Sequence, residues 1–161
     1  MEDNFIQLNK SNVLRLKIKT SDGEDTGEYL EFDLEDIELP LKYQELLEEN
    51  RKNKEKLKNE LFIISKRQDI KGKKLLSKNE EDSIRKTNDF FKKEVEIYNM
   101  FLGERGVEKL LNGKKLGWTS LAEIDEIIAK QIAPYLEKNM KNIIDMVKEK
   151  YKPTKETDVL E

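Results

Sequence analysis

Carboxylates are the commonest groups in this 161-residue chain that could do chemistry, and several stand in tight clusters. Glu80, Glu81 and Asp82 form one cluster, and Glu123, Asp125 and Glu126 form another. Acids so spaced can hold magnesium or share acid–base work when they converge in a pocket. Each cluster also falls where a helix should begin, and there the helix macrodipole favours negative charge. With 34 acids in the chain, placement alone explains both clusters, so no catalytic or metal site is assigned to them. Histidine and cysteine are both absent. Their absence removes the side chain that titrates near neutral pH, the best thiolate nucleophile and every disulfide. It also removes the usual ligands of zinc, iron–sulfur clusters and haem. What remains is Asp, Glu, Lys, Tyr, Ser and Thr in no recognisable catalytic constellation. The expectation is a protein that binds or assembles, with no enzymatic activity and no cofactor.

Other groups could bind rather than react. Residues 20–49 hold twelve acids and one lysine, a net of −11, while residues 50–78 hold eleven bases and three acids, a net of +8. The two blocks could dock a partner or support head-to-tail self-association. The favoured reading is structural: acids near the start and bases near the end of one long helix oppose its dipole. Lys66-Arg67 and Lys71 to Lys74 could meet phosphate, but no aromatic platform or groove-sized helix accompanies them. With a net charge of −3, neither nucleic acid nor an anionic membrane is an expected partner. Trp118, the only tryptophan, sits between two helical segments. It reads first as a lid on the helical core and second as an interface anchor.

These residues are carried on elements that the periodicity locates. Residues 13–19 and 29–35 each alternate strictly, setting Leu14, Leu16 and Ile18, then Leu30, Phe32 and Leu34, on one face. An antiparallel hairpin over 13–35 follows. A two-residue Asp22-Gly23 turn would place Arg15 opposite Leu30, so parity excludes it. Registers pairing Leu16 with Leu30 or with Phe32 both satisfy the faces, and either puts basic and acidic residues opposite one another outside. Helical spacing then predicts helices at about 39–66, 78–102, 107–112 and 120–151. The second should carry Ile84, Phe91, Val95, Tyr98 and Leu102 as its stripe, flanked by Phe90, Ile97 and Phe101. Ser77/Glu80 and Ser120/Glu123 read as capping boxes. Glu48 to Lys56 is nearly devoid of apolar residues, so the first helix should project into solvent or run along the surface there. Pro134 should kink the last helix, because it lacks an N–H and crowds the Lys130 carbonyl. The fold class is therefore α+β and mainly helical: a hairpin packed on three long helices and one short one. Residues 1–152 form a single domain, and 153–161 a flexible tail. Met1 to Asn12 lacks a basic region followed by an apolar one, and no apolar run approaches a membrane span, so a soluble, cytoplasmic protein is expected.

One segment resembles a known family. Phe101 to Lys115, Phe-Leu-Gly-Glu-Arg-Gly-Val-Glu-Lys-Leu-Leu-Asn-Gly-Lys-Lys, is similar to a segment recurring in the tail assembly chaperones of long-tailed bacteriophages of Gram-positive hosts. There, too, an aromatic-rich helix ends in a Gly-Glu-x-Gly-like turn, followed by a short helix, a glycine and basic residues, with a β element near the N-terminus. The polar, long first helix and the heavily charged outer face of the hairpin depart from that pattern. The lysine-rich, arginine-poor composition suits the AT-rich genome of such a phage or prophage. The resemblance implies a non-catalytic role: binding the tape measure protein, keeping it soluble, and aiding recruitment of tail tube protein in the host cytoplasm. Homo-oligomers are compatible with it. Leu102, Leu110, Leu111, Leu116 and Trp118 are then the partner-binding candidates, with Gly103, Gly106 and Gly113 shaping the turns. The alternative is another small phage or prophage protein, structural or host-interacting, without enzymatic activity.

Overall fold

The computed structural model describes residues 12–151, together with Asn4, Ile6 and Gln7. Strand β1 (Val13–Lys19) pairs antiparallel with β2 (Asp25–Asp33). Leu16 faces Leu30 and Leu14 faces Phe32, which selects one of the two registers that parity allowed. The register shifts by two between Lys17 and Lys19, so the alternation survives the irregularity. Gly27, at φ +77°, occupies the bulge, and Thr26 donates its hydroxyl to the Ile18 carbonyl at 2.8 Å. Outside, Arg15 opposes Glu31 as charge pairing predicted, yet its guanidinium lies 3.6 Å from the Tyr29 ring centre. The stack on tyrosine replaces a cross-strand ion pair. The inner face, with Ile18, Leu30 and Phe32 buried, is capped by helices, as a two-stranded hairpin requires.

Helix α1 (Leu39–Lys66) starts with Pro40 in its first turn and packs along α2 (Lys78–Leu102). Its first turn contains no acid, so the dipole account of the acidic block fails there, although Lys66 does sit in the last turn. The two charge blocks meet inside the helix instead, through Arg51 with Glu48 (2.8 Å) and Lys52 with Glu49 (3.6 Å). The polar stretch 48–56 runs along the surface of the body, one of its two expected courses, and does not project into solvent. Asn50 is buried and Asn53 half-buried, both turned toward α2.

Ser77 caps α2 as predicted: it accepts from the Glu80 N–H while Glu80 accepts from the Ser77 N–H, each at 3.1 Å. The buried face of α2 centres on Tyr98, Leu102 and the predicted flanking residues, with Glu94 added. Phe90, Glu94, Ile97, Tyr98, Phe101 and Leu102 are buried, whereas Ile84 is exposed and Phe91 and Val95 are half-buried. A glutamate in the core row is what the apolar periodicity could not show.

Helix α3 (Gly106–Leu111) is followed by α4 (Trp118–Ile127), which runs without a break through a π-helical turn (Ile128–Ile132) into α5 (Ala133–Lys150). The predicted Ser120/Glu123 box does not cap α4. The helix begins two residues earlier, and the Ser120 hydroxyl accepts instead from the Gly117 N–H at 2.8 Å. Pro134 disturbs the last helix where the sequence placed the disturbance. The wider π turn just before it absorbs the missing donor, and α5 starts at Ala133 with the proline in its first turn. The core gathers the hairpin face, α2 and the α4–α5 rod, with Phe101 touching both Phe32 and Tyr43 at ring separations of 5.5 Å. The tail expected at 153–161 lies outside the described residues. Among the described residues, no helix is long and apolar enough to cross a membrane.

Candidate functional site

The motif from Phe101 to Lys115 builds one wall of a groove. Gly103, at φ +98°, ends α2, a conformation glycine adopts without steric cost. Three residues on, Gly106 lets α3 turn back against α2, because a Cβ there would lie 2.5 Å from the Leu102 Cβ. Asn99 on α2 then caps α3 by accepting from the Val107 N–H at 2.9 Å. Lys109 reaches the Tyr29 carbonyl of β2 at 3.5 Å, fastening the short helix to the hairpin. Gly113, at φ +81°, releases the chain toward the lysines.

Leu110, Leu111 and Trp118 meet across this arrangement. With Leu16, Ile18 and Leu30 of the hairpin they line a groove of about 780 Å³. Lys17, Lys19, Lys114 and Lys115 also line it, against a single acid, Glu123. Trp118 is 57% exposed and stacks on the α2 aromatics: its ring lies 5.3 Å from Phe90, near parallel, and 4.7 Å from Phe91, edge-on. It is therefore a half-open aromatic step supported from beneath, neither a closed lid nor a free anchor. Leu116 is half-buried against the core and does not line the groove. Leu102 is a correction: only 3% exposed, it belongs to the core under Gly106 and offers nothing to a partner. Burial of one leucine among several at helical spacing is decided by the direction of the next helix, which spacing does not contain.

No protein-family model, curated protein or solved structure matches this chain.

The carboxylate clusters do not converge. Glu80 belongs to the Ser77 capping box, and the N–H of Ser77 holds its carboxyl below the usual range. Glu81 pairs with Arg85 at 2.7 Å and Asp82 with Arg67 at 2.8 Å, and each partner lowers its acid's pKa in the same way. Glu126 pairs with Lys130, Glu123 lines the groove, and Asp125 points inward. Among the described residues no three acids gather to hold a metal ion.

The chemistry that the sequence did not reveal lies between α1, α2 and α4. Glu94 is fully buried and accepts from Asn53 at 3.0 Å. The Asn50 amide lies between the Glu94 carboxyl and the Tyr98 hydroxyl, 3.1 Å from each, and that hydroxyl donates to Asp125. With its nitrogen toward Glu94, Asn50 donates to the carboxyl and accepts from Tyr98. With its oxygen there, the contact is attractive only when Glu94 carries a proton. Burial pushes the Glu94 carboxyl up to about 7, against the lowering effects of the Asn53 hydrogen bond and the Lys54 charge. Burial, followed by the bond to Asp125, also raises the Tyr98 hydroxyl. These groups form one hydrogen-bonded chain, from Asn53 through Glu94, Asn50 and Tyr98 to Asp125; Asn53 also lines a surface pocket with Phe90, and Asn50 and Asp125 line another with Tyr43 and Ile128. Its evident work is to seat α1 on α2.

Proposed function

We propose that this protein is a non-catalytic tail assembly chaperone of a long-tailed phage or prophage. In this reading it shields an apolar segment of the tape measure protein until tail tube subunits assemble around it. The observation that carries the reading is the groove, which gathers Leu110 and Leu111 of the family-like segment with Trp118 over a hairpin wall. An apolar floor beside lysines suits a client segment with apolar anchors and acidic flanks. Among the described residues the carboxyl pushed up to about 7 is that of Glu94, and its full burial between helices supports a binding role over an enzymatic one.

Co-expression tests it. The protein should raise the soluble yield of its cognate tape measure protein, and binding should shift the emission of Trp118. Trp118→Ala is the variant of choice, because the ring is more than half exposed, whereas Leu110 and Leu111 are packed against the core. Truncating an aromatic anchor should weaken client binding by about 2 kcal/mol. Unchanged tape measure solubility in the presence of folded protein would reject the chaperone reading and leave the alternative of another small phage or prophage interaction protein.

A further inference from the structure

One wall of the groove is backbone. It runs along Leu16, Lys17, Ile18 and Lys19 of β1 and on through Thr20 and Ser21. Successive side chains of a strand point to opposite faces, so a wall that follows every residue is the strand's edge. β2 holds the other edge of β1. In an antiparallel pair, opposed residues alternate between exchanging backbone hydrogen bonds and turning those groups outward. Leu34 donates its N–H to the Asn12 carbonyl and Thr20 donates to that of Glu24, each at 2.8 Å. Both pairs continue the β1–β2 register, so the even-numbered residues of β1 are the bonded set. The N–H and C=O groups of Arg15, Lys17 and Lys19 therefore point away from β2. Among the described residues nothing pairs with them. An open edge of this kind is a template for one more strand.

A strand added there continues both faces of the hairpin. Its inward side chains would extend the row of Leu16 and Ile18 over Leu110, Leu111 and Trp118, a place for apolar residues. Its outward side chains would stand beside the exposed Lys17 and Lys19, with Lys114 and Lys115 across the groove. Glu123 is the one acid in that lining, so acidic residues fit the outward positions. β2 already answers β1 in this way, setting Glu31 opposite Arg15. A second copy's β1 brought edge to edge would oppose lysine to lysine, which disfavours self-pairing. We propose that the outer edge of β1 is a strand-addition site for an extended client segment that alternates apolar and acidic residues. The inference rests on the reading of the groove as the client site, and adds that backbone hydrogen bonds hold the client there.

A blocked peptide of about six residues alternating valine and glutamate is the probe. At saturation it should slow amide hydrogen exchange at Lys17 and Lys19 by about tenfold or more, read by NMR on the full chain. The valine–lysine counterpart should bind about tenfold more weakly. N-methylation separates pairing from charge attraction. Methylating the glutamate amides blocks one edge of the peptide, and methylating the valine amides blocks the other. One form should lose about tenfold or more in affinity and the other keep it. In the protein, Lys17→Pro deletes an outward N–H that the hairpin does not use. It should bind about tenfold more weakly than Lys17→Ala, which loses the same charge. The melting temperature reports on the fold of both variants, and should Lys17→Pro unfold, the methylated peptides carry the test on the wild type. No binding at about 1 mM peptide overturns the proposal. So do unprotected amides in the bound state, methylated forms of equal affinity, or a valine–lysine peptide that binds as well. If tape measure solubility rises while the bound peptide leaves Lys17 and Lys19 unprotected, the strand site fails and the chaperone reading stands. Protection without any gain in solubility rejects the chaperone reading and keeps the site.

Discussion

Replacing Glu94 by glutamine tests the buried polar chain directly. The glutamate is fully buried, and its carboxyl is raised from the ordinary 4.5 to about 7. A folded-state pKa above the unfolded one means that the folded protein binds this proton more tightly. The stabilisation is then complete below about pH 4.5 and is lost as pH rises through about 7. At about 1.36 kcal/mol per pH unit the displacement is worth up to about 3 kcal/mol. The wild type should therefore lose up to about that much stability between about pH 5 and pH 8. Surface acids act in a different window. Glu80, Glu81 and Asp82 have lowered pKa values, so their contribution is present above the unfolded values and is lost only as pH falls below them. Glutamine keeps the acceptor that Asn53 needs and supplies an N–H where the protonated acid supplies an O–H. Glu94→Gln should flatten the stability profile between about pH 5 and pH 8. It should match the wild type within about 1 kcal/mol at the acidic end and exceed it by as much as about 3 kcal/mol at the basic end. Urea denaturation followed by helical circular dichroism at several pH values gives the comparison. Parallel profiles for the two proteins, or a glutamine variant clearly weaker at pH 8, would refute the argument. Either result would mean that the carboxylate is ionised and held by its amide neighbours.

Gly106→Ala should destabilise by about 1–3 kcal/mol, since its Cβ would collide with the Leu102 Cβ at 2.5 Å and neither helix can yield cheaply. A thermal melt measures it, and an unchanged midpoint would show that α3 does not pack as closely as described. Ser77→Ala removes a buried hydroxyl that accepts from the Glu80 N–H, and about 1 kcal/mol should be lost in urea denaturation at neutral pH. A loss below a few tenths would mean that Glu80 alone suffices as a cap.

Local chemistry determined the hairpin, the cap at Ser77, the helix order and the stops at Gly103 and Gly113. Alternation, side-chain hydrogen bonding and backbone freedom each act over a few residues, so they can be read from neighbours in the chain. The absence of histidine and cysteine bounded the chemistry in the same direct way. Only the tertiary structure decided the rest. The polar stretch of α1 read as a span in solvent or along the surface because Asn50 and Asn53 are polar, yet they face Tyr98 and Glu94, 48 and 41 residues away, where a satisfied polar group costs little to bury. Pro134 signalled a disturbance, but the π turn before it depended on how Ile128 and Ile132 are held in the core. Leu102, Leu110 and Leu111 were equivalent as candidates until the turn at Gly106 folded α3 over the first and left the other two at the groove. Apolar spacing says which side chains share a helix face. What that face meets is set by the path of the chain between helices, and a few loop dihedrals decide that path.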